Sequence, residues 1–202
     1  CHSHPPLGWT PLYTLSTRTP AHWEWESEHP VHKDAYDIGT LAHSLILEGD
    51  ESKHRVIDVD DKRGNKWTIP ANEAREEGLI PLTPKEWASI VGMRDSVMAH
   101  PDARQLFTGH RAEESVFWEE DGLALKCRPD AWQPNTLADL KTGRSADPNE
   151  FGKTAAEYGY HQSAAHYIDG VKQLTGEELP FPFVLGEKTQ PYYESVVQLD
   201  ES

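Results

Sequence analysis

The sequence predicts an α/β domain in which a helix precedes a three-stranded antiparallel meander, a second helix and a further strand, with added helices around this core. Two changes of period predict this order. Apart from residues 51–69, apolar residues recur at helical intervals between Asp37 and His100; they alternate with polar residues between Ser115 and Thr142, and return to helical spacing after Pro148. Such an order is typical of an α/β core in which a crossover helix returns the chain to its sheet.

The first helix of this core is predicted over Asp37–Leu47, where Glu48-Gly49-Asp50 supplies the stop. The residues before it, 1–34, are rich in Pro and His and weakly periodic, which predicts an irregular amino-terminal arm with a short helix around Ala21–Glu28. Residues 35–202 are predicted to form a single domain.

The segment after the first helix is predicted to form a short hairpin and two helices. Residues 51–69 alternate charged side chains with apolar ones, so we expect a hairpin that turns at Arg63-Gly64-Asn65. Helices follow over Ala71–Glu77 and Pro84–His100, and the second begins with proline, which is favoured at a first helical position.

The residues after Gly109 are predicted to form the three-stranded meander, the crossover helix and the final strands. Strands are predicted at Ser115–Trp118, Leu123–Cys127, Thr136–Thr142, Phe181–Gly186 and Tyr193–Leu199, and a long helix at Pro148–Leu174 with a break near Gly159.

Composition describes a globular chain and excludes several classes of protein. Its 202 residues carry 34 acidic and 19 basic side chains, a net charge of −15, yet seven Trp, seven Tyr and five Phe supply a core. No apolar run is long enough for a membrane span and the start lacks an export signal, so we expect a cytoplasmic protein. Its two cysteines are too few for an iron-sulfur cluster, and a first residue Cys1 leads us to expect a fragment or processed product.

One constellation carries chemistry: Arg128-Pro129-Asp130, followed by Asp139-Leu140-Lys141. Residues two apart in a strand share a face, so Asp139 and Lys141 emerge side by side. Two carboxylates near a lysine suit metal-assisted phosphodiester hydrolysis, because hard carboxylate oxygens bind Mg²⁺ and the metal acidifies water. The lysine then orients or deprotonates that water, or stabilises charge on phosphorus. The alternative is a turn followed by the wet face of an edge strand, and a D-x-K triplet alone favours it.

In this context the residues resemble the PD-(D/E)xK nuclease superfamily, and within it the RecE-like (exodeoxyribonuclease VIII) group of RecB-type nucleases. The resemblance runs from about His32 to Leu199. It is strongest in four stretches, GTLAHSLILEG (39–49), AEESVFWEEDGLALKCRPD (112–130), ADLKT (138–142) and EFGKTAAEYGYHQSAAHYIDG (150–170). Each stretch alone is weak support for the resemblance, but four stretches in the right order are specific.

The resemblance implies roles for five residues. Asp130, Asp139 and Lys141 match the core triad, with both aspartates as metal ligands. His43 matches a helix histidine that reaches the metal, although a lone histidine on an apolar helix is more often a packed core residue. Glu113 matches the acid that opens the first strand and completes the metal shell. Glu114 competes for that assignment because neighbours in a strand face opposite sides.

The resemblance also implies substrate-binding candidates on the crossover helix. The family places a Gln four residues before a Tyr, but here Ser163 stands four before Tyr167 and Gln162 lies one position earlier. One position rotates a helical side chain by about 100°. Gln162, Tyr167 and Tyr160 therefore stay candidates, with Arg128 beside the motif, and core packing is an equal alternative for the two tyrosines.

The implied activity is Mg²⁺-dependent exodeoxyribonuclease activity of phage or prophage type, with Mn²⁺ able to substitute and without an iron-sulfur cluster. The implied substrate is the end of linear double-stranded DNA, degraded 5′ to 3′ to leave a 3′ overhang for a single-strand annealing recombinase, by a homo-oligomer. A structure-specific or restriction-type endonuclease and a catalytically silent DNA-binding module remain alternatives. Local basic residues offset the acidic net charge: Lys126, Arg128, Lys141, Arg144 and Lys153.

Overall fold

The computed structural model describes residues 6–29 and 34–199. The helices are α1 (Trp9–Thr17), α2 (Pro20–Glu28), α3 (Asp34–His43, continuing as a π-helical turn, Ser44–Glu48), α4 (Asn65–Glu76), α5 (Pro84–Ala99), α6 (Pro101–Leu106), α7 (Pro148–Tyr158) and α8 (Tyr160–Thr175). The strands are β1 (His54–Val56), β2 (Ile80–Leu82), β3 (Arg111–Ala112), β4 (Val116–Glu120), β5 (Leu123–Cys127), β6 (Ala131–Gln133), β7 (Thr136–Gly143), β8 (Phe183–Glu187) and β9 (Glu194–Val197).

A five-stranded sheet with the order β3-β6-β7-β8-β9 forms the centre of the molecule. Only β7 and β8 run parallel in it, and α7 and α8 make the crossover between them. Leu140 and Val184 face a core formed with α3 and α5, whereas Leu137 and Phe183 face a core formed with α7 and α8. This three-layer arrangement, with helices on both faces of a mixed sheet, confirms the predicted α/β core.

The predicted meander is present with an interruption. Strands β4 and β5 form a separate hairpin that continues the line of β3 and β6. Ala112 pairs with Ala131 and Val116 pairs with Cys127, so both segments keep one register across three intervening residues on each side. Helix α8 crosses the hairpin at Gly170, where a Cβ atom would lie 2.6 Å from the Trp118 ring. The close approach of helix and hairpin therefore needs glycine here.

Two predicted segments differ from the structure. The hairpin over 51–69 was wrong: β1 pairs in parallel with β2, and the second half of the segment enters α4. Trp67, Ala71 and Ala74 are buried on one face of α4, so helical spacing prevailed over the apparent alternation. The predicted turn glycine, Gly64, instead precedes the helix with a positive φ of 67°.

The amino-terminal arm is also more ordered than predicted, since residues 6–29 contain α1 and α2 rather than one short helix. The arm is attached to the rest of the molecule. Leu7 exchanges backbone hydrogen bonds with Ala124 and Lys126 of β5, and the Tyr13 hydroxyl donates to the Glu157 carbonyl at 3.0 Å. Residues 1–5 and 30–33 lie outside the described residues, and the domain boundary at residue 34 stays a prediction.

Among the described helices, none has the length and apolar character to cross a membrane.

Candidate active site

Three carboxylates occupy opposed positions on neighbouring strands at the interruption of the sheet, the three residues on each side (113–115 and 128–130) that separate the β3–β6 pair from the β4–β5 hairpin. Continuing the β3–β6 register places Glu113 opposite Asp130, and the Glu113 amide donates to the Asp130 carbonyl at 3.2 Å. Continuing the β6–β7 register places Asp130 opposite Asp139. Opposed residues in an antiparallel pair are close neighbours. The strand pairing therefore brings together three acids that are up to 26 residues apart in sequence.

Asp130 is located where strands β6 and β7 separate. Their ladder ends at the pair Ala131–Ala138, and the Leu140 amide donates instead to the Asp130 Oδ2 atom at 2.7 Å. The residue is only 8% exposed. The carboxylate thus replaces a backbone acceptor in the sheet, which fixes its position.

Glu113 is the member of the Glu113/Glu114 pair that reaches the site. It adopts a positive φ of 51°, a conformation uncommon for non-glycine residues, which turns its side chain out of the regular alternation. Its carboxylate pairs with Arg128 at 2.7 Å. Glu114 pairs instead with Arg111 at 3.1 Å and is more exposed than Glu113.

His43 comes to the same place from helix α3. Its Nδ1 atom lies 3.5 Å from the Asp130 Oδ2 atom. The helix approaches the sheet through Gly39, where a Cβ atom would meet the Thr142 hydroxyl at 3.8 Å. One ligand atom each of His43, Glu113 and Asp130 lies within 4.8 Å of the others.

Lys141 and Asp139 form an ion pair beside this group. Asp139 is 4% exposed, and the Lys141 ammonium is the partner of its Oδ2 atom. The Lys141 Nζ atom also lies 4.8 Å from the centre of the Tyr160 ring, a cation–π contact. Asp139 and Lys141 therefore emerge side by side, as the strand spacing predicts.

Burial and mutual repulsion shift the protonation of these groups. Burial raises the pKa of Asp130 well above its ordinary value, and the neighbouring Asp139 raises it further. Burial raises the pKa of Glu113 against the opposing effect of Arg128. Burial lowers the pKa of His43, which keeps the imidazole neutral and able to bind a metal. For Lys141, burial acts to lower the pKa, but Asp139 and Asp130 outweigh it and raise the pKa above its ordinary value.

The residues present suit a divalent cation. Two carboxylates crowded into a buried position are unfavourable without a positive charge, and their hard oxygen atoms suit Mg²⁺ or Mn²⁺. His43, Glu113 and Asp130 would hold such an ion. Asp139, which the resemblance makes a ligand, is directed at Lys141 instead, and its role as a ligand stays a prediction.

A cavity of about 370 Å³ opens at this group of residues. Its lining includes Ser44, Glu48 and Lys53, which the sequence reasoning did not identify. The Lys53 ammonium donates to the Ser44 hydroxyl at 2.8 Å and to the Glu48 carboxylate at 3.0 Å. The π-helical turn places Ser44 and Glu48 there, and no signal in the sequence distinguishes such a turn from an α-helix.

The substrate-binding candidates occupy different environments. Arg128 lines the cavity, while Gln162 is exposed on α8. Ser163, which stands where the RecE-like pattern of the sequence resemblance would place Gln, is buried and donates to the Tyr160 carbonyl at 3.1 Å. Tyr167 packs edge-on against Phe181 in the core, and burial raises its pKa. Tyr160 contacts the predicted triad, through the Lys141 ammonium.

A family model described as "PDDEXK-like domain of unknown function (DUF3799)" matches residues 16–202. The chain belongs to this family. The match covers the sheet, the interruption and all five predicted site residues, and it confirms a PD-(D/E)xK-type core. It does not distinguish a RecE-like member from other members of the superfamily.

The structure is also similar to the crystal structure of a protein named "Putative exonuclease" from Eubacterium rectale, with a TM-score of 0.69 and 14% sequence identity. The similarity covers 97% of this chain and 73% of that one. At this identity the similarity establishes a shared fold. No curated protein sequence matches the chain significantly.

Proposed function

We propose that this protein is a metal-dependent nuclease that hydrolyses phosphodiester bonds at the ends of linear double-stranded DNA. The observation that carries the proposal is the convergence of Asp130, Asp139 and Lys141 with His43 and Glu113 at the sheet interruption. Fold similarity alone would also fit a protein that keeps the architecture without catalysis. The assembled acids, lysine and histidine make hydrolysis the better interpretation.

Each residue has a role that follows from its contacts. Glu113, Asp130 and His43 would hold the divalent ion, Mg²⁺ or Mn²⁺, which when bound supplies Lewis-acid activation of water and of the phosphoryl oxygen. Asp139 orients the Lys141 ammonium and, with Asp130, keeps it charged. A charged ammonium orients the attacking water and stabilises negative charge on the phosphoryl group, so these roles are favoured over proton abstraction by Lys141.

The exonuclease assignment rests on the RecE-like sequence resemblance and is supported by the exonuclease name of the structural neighbour. We extend it to 5′ to 3′ degradation that leaves a 3′ overhang, with a single-strand annealing recombinase as partner, in a homo-oligomer acting in the cytoplasm. Arg128 and Lys53 are the basic side chains in the cavity lining, and we assign them to the phosphates of the DNA backbone.

The test compares linear duplex DNA with covalently closed circular duplex of the same sequence, with Mg²⁺ and with EDTA. An exonuclease degrades the linear molecule only, and phosphorothioate linkages at the 5′ end block it if the polarity is as proposed. Nicking of the closed circle would instead identify an endonuclease. The Asp139→Asn variant controls for contaminating nucleases, and binding without any hydrolysis by the unaltered protein would identify a DNA-binding module.

A further inference from the structure

An exposed aromatic side chain adjoins the candidate active site on the side of Lys141. Tyr158 is the last residue of α7 and is 54% exposed. Its ring stacks on Tyr160, with centroids 5.7 Å apart and planes at 21°. The Tyr160 ring is also in contact with the Lys141 ammonium, 4.8 Å from the ring centre. Tyr158, Tyr160 and Lys141 therefore form a short series, in which Tyr158 is the exposed aromatic side chain.

The rest of the series is anchored in the core. The Tyr160 ring also stacks near Phe151 at 6.0 Å and Phe183 at 6.1 Å, and Phe183 is fully buried. Tyr160 cannot shift without disturbing this packing, so it offers Tyr158 a fixed inner surface. An aromatic ring held flat on one side presents its other face for stacking.

The backbone at Tyr158 is fixed as well. Gly159 separates α7 from α8 with a φ of 68°, and a Cβ atom there would lie 2.7 Å from the Tyr13 ring of α1. Tyr13 also donates its hydroxyl to the carbonyl of Glu157, the residue before Tyr158. Helix α1 thus holds the junction in one conformation. The backbone that carries this exposed side chain is therefore constrained, which lowers the entropy that a ligand contact at Tyr158 would cost.

We propose that Tyr158 is a stacking platform for the nucleobase next to the phosphodiester held at Lys141. Any base has an aromatic face, so such a contact recognises nucleic acid without selecting sequence. A base at a DNA end is also less costly to unstack than one inside a duplex. The inference rests on the proposed nuclease function and adds to it a binding residue that neither the D-x-K motif nor the crossover-helix candidates include.

The proposal requires stacking rather than a hydroxyl or mere bulk, so three substitutions separate these properties. Tyr158→Phe keeps the ring, Tyr158→Leu keeps apolar volume without a ring, and Tyr158→Ala removes both. Phe117→Ala is the matched control, since Phe117 is a comparably exposed aromatic residue, 62% exposed on the β4–β5 hairpin, to which the proposed mechanism gives no role. Melting temperatures check that all variants fold.

The first measurement is steady-state cleavage of linear duplex DNA with Mg²⁺. We expect KM to rise about tenfold in Tyr158→Leu and Tyr158→Ala with kcat nearly unchanged, because alanine substitution of a stacked aromatic typically weakens binding by that order. Tyr158→Phe and Phe117→Ala should keep the KM of the unaltered protein. Equal KM values in all variants overturn the proposal.

The second measurement does not depend on hydrolysis. Linear duplex carrying 5-iododeoxyuridine near one end is bound in Ca²⁺, irradiated, and the crosslinked residue is mapped by mass spectrometry. A crosslink at Tyr158 that Tyr158→Leu abolishes supports the platform, and a crosslink that maps only elsewhere overturns it. Absence of DNA hydrolysis by the unaltered protein would overturn the proposed function, whereas normal hydrolysis with an unchanged KM in Tyr158→Leu would overturn this inference alone.

Discussion

Replacing Asp130 by asparagine should stabilise the metal-free protein while abolishing its activity. The folded state raises the pKa of this carboxyl, chiefly through burial and then through Asp139, so the ionised form costs free energy at neutral pH. An amide resembles the uncharged acid in shape and keeps an oxygen that accepts the Leu140 amide hydrogen. Asp130→Asn therefore removes the cost and keeps the hydrogen bond.

The gain is on the order of 0.5–2 kcal/mol, the range that is common for a substitution that relieves a strained functional site. For a domain of this length that is a rise in melting temperature of roughly 1–8 °C. The assay is thermal unfolding of both proteins in EDTA at neutral pH, with cleavage of linear DNA in Mg²⁺ measured alongside.

The pH dependence supplies the control. A carboxyl with a raised folded-state pKa binds more protons when folded, so its destabilising effect begins as pH rises above the ordinary value of 3.8 and is complete above the folded-state pKa. The difference between the two proteins should therefore be largest near pH 7 and shrink towards pH 4. A melting temperature in Asp130→Asn that is equal or lower at pH 7 would refute the reasoning, and would mean that Asp130 is stabilised as an anion.

Three further outcomes follow from the site. Asp139→Asn should lower DNA hydrolysis by several orders of magnitude and leave the fold intact, because Lys141 loses the charge that orients it; unchanged rates in a gel assay would contradict the assignment. His43→Ala should raise the metal concentration needed for half-maximal rate and be partly rescued by Mn²⁺, which accepts nitrogen ligands readily, whereas Lys141→Ala should lower the rate at every metal concentration; a metal titration of each variant separates the two. Mg²⁺ or Mn²⁺ should raise the melting temperature, since an ion at about one hundred times Kd contributes about 2.7 kcal/mol, and an equal rise in an Asp130→Asn, Asp139→Asn double variant would place the ion elsewhere.

The sequence predicts the sheet and its crossover helix well because their periods are strong. Leu137 and Leu140 lie on opposite faces of β7, each in a different buried core, as alternation in a strand covered on both sides requires. The break near Gly159 and the helix that begins at Pro84 were also predicted, because glycine and proline mark these positions directly. The hairpin over 51–69 was wrong because its alternating charges are surface charges on strand β1, a loop and the start of α4.

The site itself could be predicted only in part. Asp139 and Lys141 share a strand, so their proximity follows from spacing alone. The choice of Glu113 over Glu114 depends on a positive φ, and the positions of Ser44 and Glu48 depend on a π-helical turn. Neither the positive φ nor the π-helical turn can be predicted from the amino-acid types around it. Tyr158 was not predicted as a site residue for a different reason. Its proposed role depends on a ring contact with Tyr160 across a helix junction, and the sequence shows only two tyrosines two positions apart.

The β3–β6 pair and the β4–β5 hairpin share one register, and this limits where residues can be inserted without moving the acids. The opposed acids are placed by the β3–β6 and β6–β7 pairings, while the β4–β5 hairpin continues outward beyond them. Matched insertions of residues on both arms of the hairpin would lengthen it without moving the acids. A single residue inserted between Ala131 and Ala138 would instead shift Asp139 relative to Asp130 and reverse which side chains face the core. The outer hairpin is therefore a place where relatives can differ in length and acquire new contacts, while the turn between β6 and β7 is held to one length by the chemistry beside it.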